Sequence, residues 1–355
     1  MATDYPDDAL TLLLLQGIAR RMFSAAVMAI STTEGVVWSR SVGNLDPAEP
    51  KRPTQLDSLF DLASITKVFV ATLFFKLREA GQIDLQMPIG WLIPNVPVDK
   101  RRITFGQLLN HSSGLPASLD LSKDDFSGDR TDSIVERVLA ERLHSPPGTA
   151  TQYSCLGYVL IGHALKAHLG NSLQDGLIRH ILEPLAIRDI LFSPLTKSTS
   201  GIARTSFSRP NRGATSAGVV HDGIAVALGG ESGNAGLFGS ALGLSAFCVE
   251  VLRSVHDSGS SLLSTKSMAI MLTPGIHEGS NLYCHGWRLA ENDNTHRIPR
   301  GSFGHTGYTG TSIWIDPAHD RVLVLLTNRT VFCDDETSHR AFLHWRRSIH
   351  RQALL

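Results

Sequence analysis

The stretch Phe60-Asp61-Leu62-Ala63-Ser64-Ile65-Thr66-Lys67-Val68-Phe69-Val70-Ala71-Thr72-Leu73-Phe74-Phe75 decides how this chain is read. Residues 58–62 have the pattern of a short strand, and 64–80 that of a helix stopped by Gly81. The helix is apolar nearly all round, which places it inside a protein. Ser64 stands at the junction, where the unbonded N–H groups of a first helical turn lie near its hydroxyl. Lys67 follows one turn later on the same face. A buried ammonium is costly, so the Lys67 pKa is expected to fall, and a neutral amine beside a hydroxyl can activate it. No other lysine in the chain has a serine three residues before it. The pair alone reads at least as well as an N-cap serine and a lysine that reaches solvent.

Outward from this helix the patterns are uneven. A helix is expected over 7–22, then strands over 25–31 and 36–43 around the turn Thr33-Glu34-Gly35. Between 84 and 240, helical patterns at 104–110, 131–143, 154–169 and 172–183 alternate with loops rich in Pro, Gly and Ser. Helices near 241–255 and 264–272 follow, then strands at 282–289, 302–308, 312–316 and 322–327, and a last helix at 337–350. Strands at both ends and helices between them imply an α/β (α+β) protein. One antiparallel sheet is built from both ends, over 1–83 and 241–355, with a helical domain over 84–240.

Composition excludes several classes. The chain has 355 residues, 42% hydrophobic and 19% charged, which is enough apolar material for a large core and too much for disorder. Lys+Arg and Asp+Glu are both 33, so a general nucleic-acid binder is not expected. The cluster Lys100-Arg101-Arg102 reads as a solvated turn. The run Leu12-Leu13-Leu14-Leu15 is far short of a membrane span. The opening residues carry Asp4, Asp7 and Asp8 and no basic segment, so a cytoplasmic protein is expected. Cys155, Cys248, Cys284 and Cys333 lie far apart without zinc-type spacing, as suits reduced thiols. His163 and His168 are five apart and share no face well, and no metal spacing emerges. Nucleophile-elbow, dinucleotide, phosphate-loop and HExxH motifs do not occur.

Two further segments carry candidate chemistry. Pro146-Pro147-Gly148-Thr149-Ala150-Thr151-Gln152-Tyr153-Ser154-Cys155 delivers a Tyr-Ser pair to the start of an apolar helix. Ser154 as a helix cap and Tyr153 as a packing residue explain it equally well. In Phe303-Gly304-His305-Thr306-Gly307-Tyr308-Thr309-Gly310 small residues interrupt a strand pattern, as at a bulge or where a ligand approaches the backbone.

Taken in order, the three segments resemble the SxxK, Tyr-x-Asn and Lys/His-Thr-Gly signature of serine β-lactamases and penicillin-binding proteins. The separations are similar to the class C β-lactamase-like branch, which also holds family VIII esterases and D-aminopeptidase-like hydrolases. Leu108-Leu109-Asn110-His111-Ser112-Ser113-Gly114-Leu115-Pro116 resembles that branch's "LLxHTSGLP" loop. The segments from His221-Asp222 to Gly230 and from Asn234 to Phe238 resemble the region before its third motif. The likeness spans about 20 to 330.

The resemblance implies a β-lactamase-like fold with the active cleft between its two domains. It implies Ser64 as the nucleophile that forms an acyl-enzyme, with Lys67 and Tyr153 sharing the proton work. The backbone N–H groups of Ser64 and Tyr308 would form the oxyanion hole. His305, Thr306 and Gly307 would line the opposite wall with Cys155, all facing a small-molecule acyl substrate. No cofactor, metal, nucleic acid or membrane partner is implied. Hydrolysis of small esters or amides is the expected reaction; an acyltransferase, a β-lactamase or D,D-peptidase, and a non-catalytic ligand-binding domain are the alternatives.

Three departures stand out. Cys155 replaces the asparagine of Tyr-x-Asn, and a thiol is a poor hydrogen-bond partner. The segment Gly230-Glu231-Ser232-Gly233-Asn234 differs from the "GGVAGHAG" form of relatives. His305 replaces lysine, so the wall is expected to gain charge, and affinity for carboxylates, as pH falls through ~6.5.

Overall fold

The computed structural model describes residues 7–49, 51–121, 131–193, 195, 200–206, 208–209, 213–214, 217–276, 282–290, 298–332 and 335–354. Cys333 lies outside them. The order begins with α1 (Asp7–Ala19), β1 (Ala25–Thr32), β2 (Gly35–Gly43), β3 (Phe60–Asp61), a 3-10 turn at Ala63–Ile65 and α2 (Thr66–Glu79). The middle carries α3 (Phe105–Leu109), α4 (Thr131–Ala140), α5 (Cys155–Leu169), α6 (Leu173–Leu177), β4 (Ile190–Phe192), β5 (Ser208–Arg209), β6 (Gly213–Ala214), α7 (Gly223–Ala227) and β7 (Leu237–Gly239). Then come α8 (Ala241–His256), α9 (Thr265–Met271), β8 (Leu282–Tyr283), β9 (Arg288–Leu289), β10 (Phe303–Thr306), β11 (Ser312–Asp316), β12 (Arg321–Thr327) and α10 (Glu336–Leu354).

Seven strands form one antiparallel sheet in the order β2-β1-β12-β11-β10-β9-β8. The two ends of the chain meet in it, with Ala26 opposite Thr327 and Ser31 opposite Val322. Alternate residues serve two cores. Val27, Ala29, Ile313, Val324 and Leu326 face the core shared with α2 and α8. Met28, Ile30, Trp314, Leu323 and Leu325 face α1 and α10, where Leu10, Leu14, Phe342, Trp345 and Ile349 close over them. Burial on both faces explains why β1 and β12 read as unbroken apolar runs rather than alternating ones. The Trp345 indole N–H donates to the Leu13 carbonyl at 2.8 Å and ties the two covering helices together.

The sheet from both ends and the buried α2 match the sequence reading. Other parts differ. The strand pattern at 282–289 is not one strand: β8 and β9 form a hairpin about Cys284–Trp287. Gly286, at φ +93°, presses that turn on α2, and a Cβ there would lie 2.5 Å from the Ala71 methyl. β3 joins neither end of the main sheet. It pairs with β7, and β7 with β4, in a second three-stranded sheet. Lys100 is not solvated: it is 3% exposed, with its Nζ 2.7 Å from the Asp99 carboxylate. Its long stem covers apolar surface while the charge finds a partner at the rim. Among the described residues no helix is long and apolar enough to cross a membrane.

Candidate active site

The Ser64 turn is held by the residues just before it. One oxygen of the Asp61 carboxylate accepts the Ala63 N–H at 2.8 Å and the other the His221 N–H at 2.6 Å. Ala63 has φ +47°, an uncommon conformation for a residue with a Cβ. Such strain costs roughly 1–3 kcal/mol and persists only where the surroundings enforce it. Ser64 follows in the 3-10 turn, and Lys67 lies in the first turn of α2.

Lys67 is wholly buried. Its Nζ donates to Ser64 Oγ at 3.0 Å and to the Asn234 carbonyl at 2.9 Å, and lies 3.5 Å from Cys155 Sγ. The rings of Tyr153 and Tyr158 flank the ammonium at 5.1 and 5.7 Å. Burial pushes the Lys67 pKa down, but Cys155, Tyr153 and Asp222 together outweigh it, and the net direction is upward. The expectation of a depressed lysine is therefore corrected: apolar sequence neighbours suggest desolvation, while the acidic and polar groups come from distant segments.

Tyr153 arrives on a segment docked against the loop after α3. The Gln152 N–H donates to the His111 carbonyl at 2.9 Å. The Ser154 N–H donates to His111 Nδ1 at 3.2 Å, and Ser154 Oγ to the Pro116 carbonyl at 2.5 Å. The Cys155 N–H donates to the Ala117 carbonyl at 2.8 Å. Ser154 also caps α5 by accepting the Gly157 N–H at 3.4 Å, so the cap reading of Ser154 is correct as well. Burial pushes the Tyr153 phenol up to about 12, against the lowering charge of Lys67 and hydrogen bonds with Ser64 and Lys67.

β10 supplies the opposite wall. His305 is 5% exposed, and its ring centroid is 6.2 Å from that of Tyr153. Its Nδ1 lies 3.0 Å from the Thr306 carbonyl, which can only accept, so that nitrogen carries the hydrogen. Burial, then the Lys67 charge, takes the His305 pKa down to about 3. The expected gain of charge near pH 6.5 is thus overturned, because the imidazole is enclosed beside a cation. Burial likewise takes His111 well below the imidazole range.

The loop after β10 is bolted to the Ser64 turn. Thr309 Oγ1 donates to the Asp61 carbonyl at 2.7 Å and Thr311 Oγ1 to the Leu62 carbonyl at 3.2 Å. The Gly307 N–H donates to the Thr311 carbonyl at 2.8 Å. A Cβ on Gly307 would strike Thr311 Oγ1 and lie 2.7 Å from the Leu62 oxygen. Tyr308, 48% exposed, has its carbonyl gripped by the buried Arg329 through Nε at 3.0 Å and Nη2 at 2.7 Å. These contacts tie the backbone of Tyr308 to that of Ser64.

Ser64, Lys67, Tyr153 and Cys155 therefore share one site, with His305 close to Tyr153. Asp61, His111, Asn234 and Arg329 also build it, and sequence reasoning assigned them no role. Asn234 acts through its carbonyl, which no side-chain motif reveals. Its amide group donates to Asp222 at 3.1 Å, placing that carboxylate behind Lys67. No group of three His, Cys, Asp or Glu among the described residues is arranged to hold a metal ion.

Comparison with known proteins identifies the family and the fold. N-acetylmuramyl-L-alanine amidase of Bacillus subtilis (strain 168) is 28% identical over 326 residues, covering 82% of this chain and 74% of the amidase. The structure of EstCE1, a hydrolase with promiscuous acyltransferase activity, superposes with a TM-score of 0.75 at 20% identity, covering 97% of this chain and 99% of EstCE1. A class C β-lactamase from Rhodobacter sphaeroides gives a TM-score of 0.75 at 18% identity, covering 97% of this chain and 99% of the lactamase. The Beta-lactamase family profile matches residues 13–344, and the chain belongs to that family.

Proposed function

We propose that this protein is a serine hydrolase that works through a Ser64 acyl-enzyme on small esters or amides. The observation that carries the reading is the 3.0 Å hydrogen bond from the buried Lys67 ammonium to Ser64 Oγ, with Tyr153 beside it. In this reading the reactive form is the one in which the Lys67/Tyr153 pair has given up one proton, and Ser64 Oγ attacks the acyl carbonyl as its own proton passes into that vacant place. The same pair returns a proton to the leaving group, and water then repeats the sequence on the acyl-enzyme. The backbone N–H groups of Ser64 and Tyr308 face the developing oxyanion. Such a donor is worth roughly 3–4 kcal/mol of transition-state stabilisation.

The substrate cleft lies where the sheet domain, 1–83 and 241–355, meets the helical segment 84–240. His305, Thr306 and Gly307 line one wall and Cys155 the other. Neutral His305 offers no charge to a carboxylate, and the Cys155 thiol offers little to an acyl-side amide. Both favour neutral, simple acyl groups. Intact-mass measurement after a fluorophosphonate probe tests the nucleophile, with one adduct expected, absent in Ser64→Ala. A turnover screen over p-nitrophenyl esters, nitrocefin and D-amino-acid amides tests the class, with the esters expected to turn over fastest. No adduct, and no turnover of any of them, would point to a ligand-binding domain.

Transfer of the acyl group to an alcohol or amine uses the same residues. The likeness to EstCE1, a hydrolase with promiscuous acyltransferase activity, favours including it. Faster release of p-nitrophenol on adding methanol, with methyl ester formed, identifies it.

A further inference from the structure

We infer that His111 is the positioning residue for Tyr153: it holds the residues on both sides of that tyrosine and so sets the direction of the phenol oxygen. The inference rests on the reading of Tyr153 as a proton carrier. His111 accepts from Gln152 through its carbonyl at 2.9 Å and from Ser154 through Nδ1 at 3.2 Å. Tyr153 lies between these two anchors. The His111 ring also packs on the Tyr153 ring at 4.6 Å between centroids. Tyr283 meets it edge-on at 5.0 Å, and Tyr158 stands at 5.3 Å on another side. The imidazole cannot turn without breaking one of these contacts.

Because Nδ1 accepts, the ring hydrogen belongs to Nε2. The imidazole is therefore fixed in tautomer as well as place. His111 is 2% exposed and adopts φ +62°. Histidine and asparagine enter that region more readily than most residues, and glycine freely. The backbone twist brings both the carbonyl and the side chain of one residue to face the 152–154 segment. The neighbouring Ser112 and Ser113 hydroxyls serve their own loop, on Asn110 Oδ1 at 2.7 Å and the Leu115 N–H at 3.4 Å. Among the described residues, His111 is the one that joins the loop to both flanks of Tyr153, while Pro116 and Ala117 hold only the Ser154–Cys155 side.

The test uses three variants in the full chain with p-nitrophenyl butyrate as substrate. Asparagine places Oδ1 where Nδ1 was and tolerates the backbone. Glycine removes the acceptor without strain. Glutamine keeps bulk and polarity but carries its acceptor one bond too far. His111→Gly and His111→Gln are expected to lose roughly 10–100-fold in kcat with KM within about threefold, since misplacement of a reacting group costs rate rather than binding. His111→Asn is expected to recover most of the loss, and added imidazole to restore part of it in His111→Gly. Combined with Tyr153→Phe, the glycine substitution should cost little more than Tyr153→Phe alone. Equal activity of the Asn and Gln variants overturns the inference, and so does a full multiplicative loss in the double variant. If Gly does not fold, the Asn–Gln contrast decides. An unchanged kcat in Tyr153→Phe would instead overturn the underlying role of Tyr153.

Discussion

The Lys67 ammonium is shared between Ser64 Oγ at 3.0 Å and the Asn234 carbonyl at 2.9 Å. One bond aims the lysine at the Ser64 hydroxyl and the other anchors it to the segment before β7. The geometry makes Ser64 and Lys67 a single unit. Ser64→Ala and Lys67→Met are each expected to lower kcat by at least ~10³, and the double variant hardly further, because residues acting together lose their effect together. More than a tenth of wild-type turnover in Ser64→Ala would remove it as the nucleophile.

The proton-carrying role proposed for Lys67 and Tyr153 predicts an alkaline profile. The Lys67 pKa lies above the ordinary lysine value and that of Tyr153 is about 12, so in the resting site both hold their protons. A base must be free of its proton, and that fraction grows with pH. With a neutral ester, kcat/KM is expected to keep rising above pH 8, with the limb belonging to the pair as a whole. A plateau reached by pH 7 would contradict it. His305, at about 3, stays neutral across this range. The KM ratio of a carboxylate-bearing ester to its neutral match should therefore be flat between about pH 5.5 and 8.

Gly307 leaves no room for a side chain beside Leu62. Gly307→Ala must push the 307–311 loop away from the Ser64 turn. A loss of about 1–3 kcal/mol in stability is expected from the overpacking. The fall in kcat should be larger, roughly 10²-fold, because the Tyr308 N–H, proposed as an oxyanion donor, moves with the loop. Denaturant unfolding and steady-state kinetics on one preparation measure both; unchanged kcat in a folded variant would detach Tyr308 from the chemistry.

Cys155→Asn puts an amide where the thiol lies 3.5 Å from Lys67. An acyl-side amide on the substrate then gains a hydrogen bond worth about 1 kcal/mol. Turnover of N-acylated amino-acid esters should rise roughly five- to tenfold relative to plain esters. Equal effects on the two would show that Cys155 does not face the acyl group.

The sequence exposed those parts of the molecule that rest on local pattern or on motif side chains. β1 and β12 show as apolar runs because both their faces are covered, and α2 shows because it is enclosed on every side. Ser64, Lys67 and Tyr153 show through the spacing of a known signature. The β3-β7-β4 sheet does not, since two- and three-residue strands have no period to read. The charge state of Lys67 is not legible in the sequence, because Cys155, Tyr153 and Asp222 reach it across long separations. The support from Asn234 and Arg329 was hidden because one partner in each bond is a backbone carbonyl.

The pairing of β1 with β12 also has a consequence in time. A ribosome releases Ala26 some three hundred residues before its strand partner Thr327. Through most of synthesis the apolar β1 has only β2 beside it, and α2 has no sheet to lie on. The Asp61–Ala63 turn waits equally for Thr309 and Thr311. Nascent chains stopped short of residue 311 should therefore bind holdase chaperones, resist no protease and take no acylating probe. Protection and reactivity should then appear together once β12 has emerged.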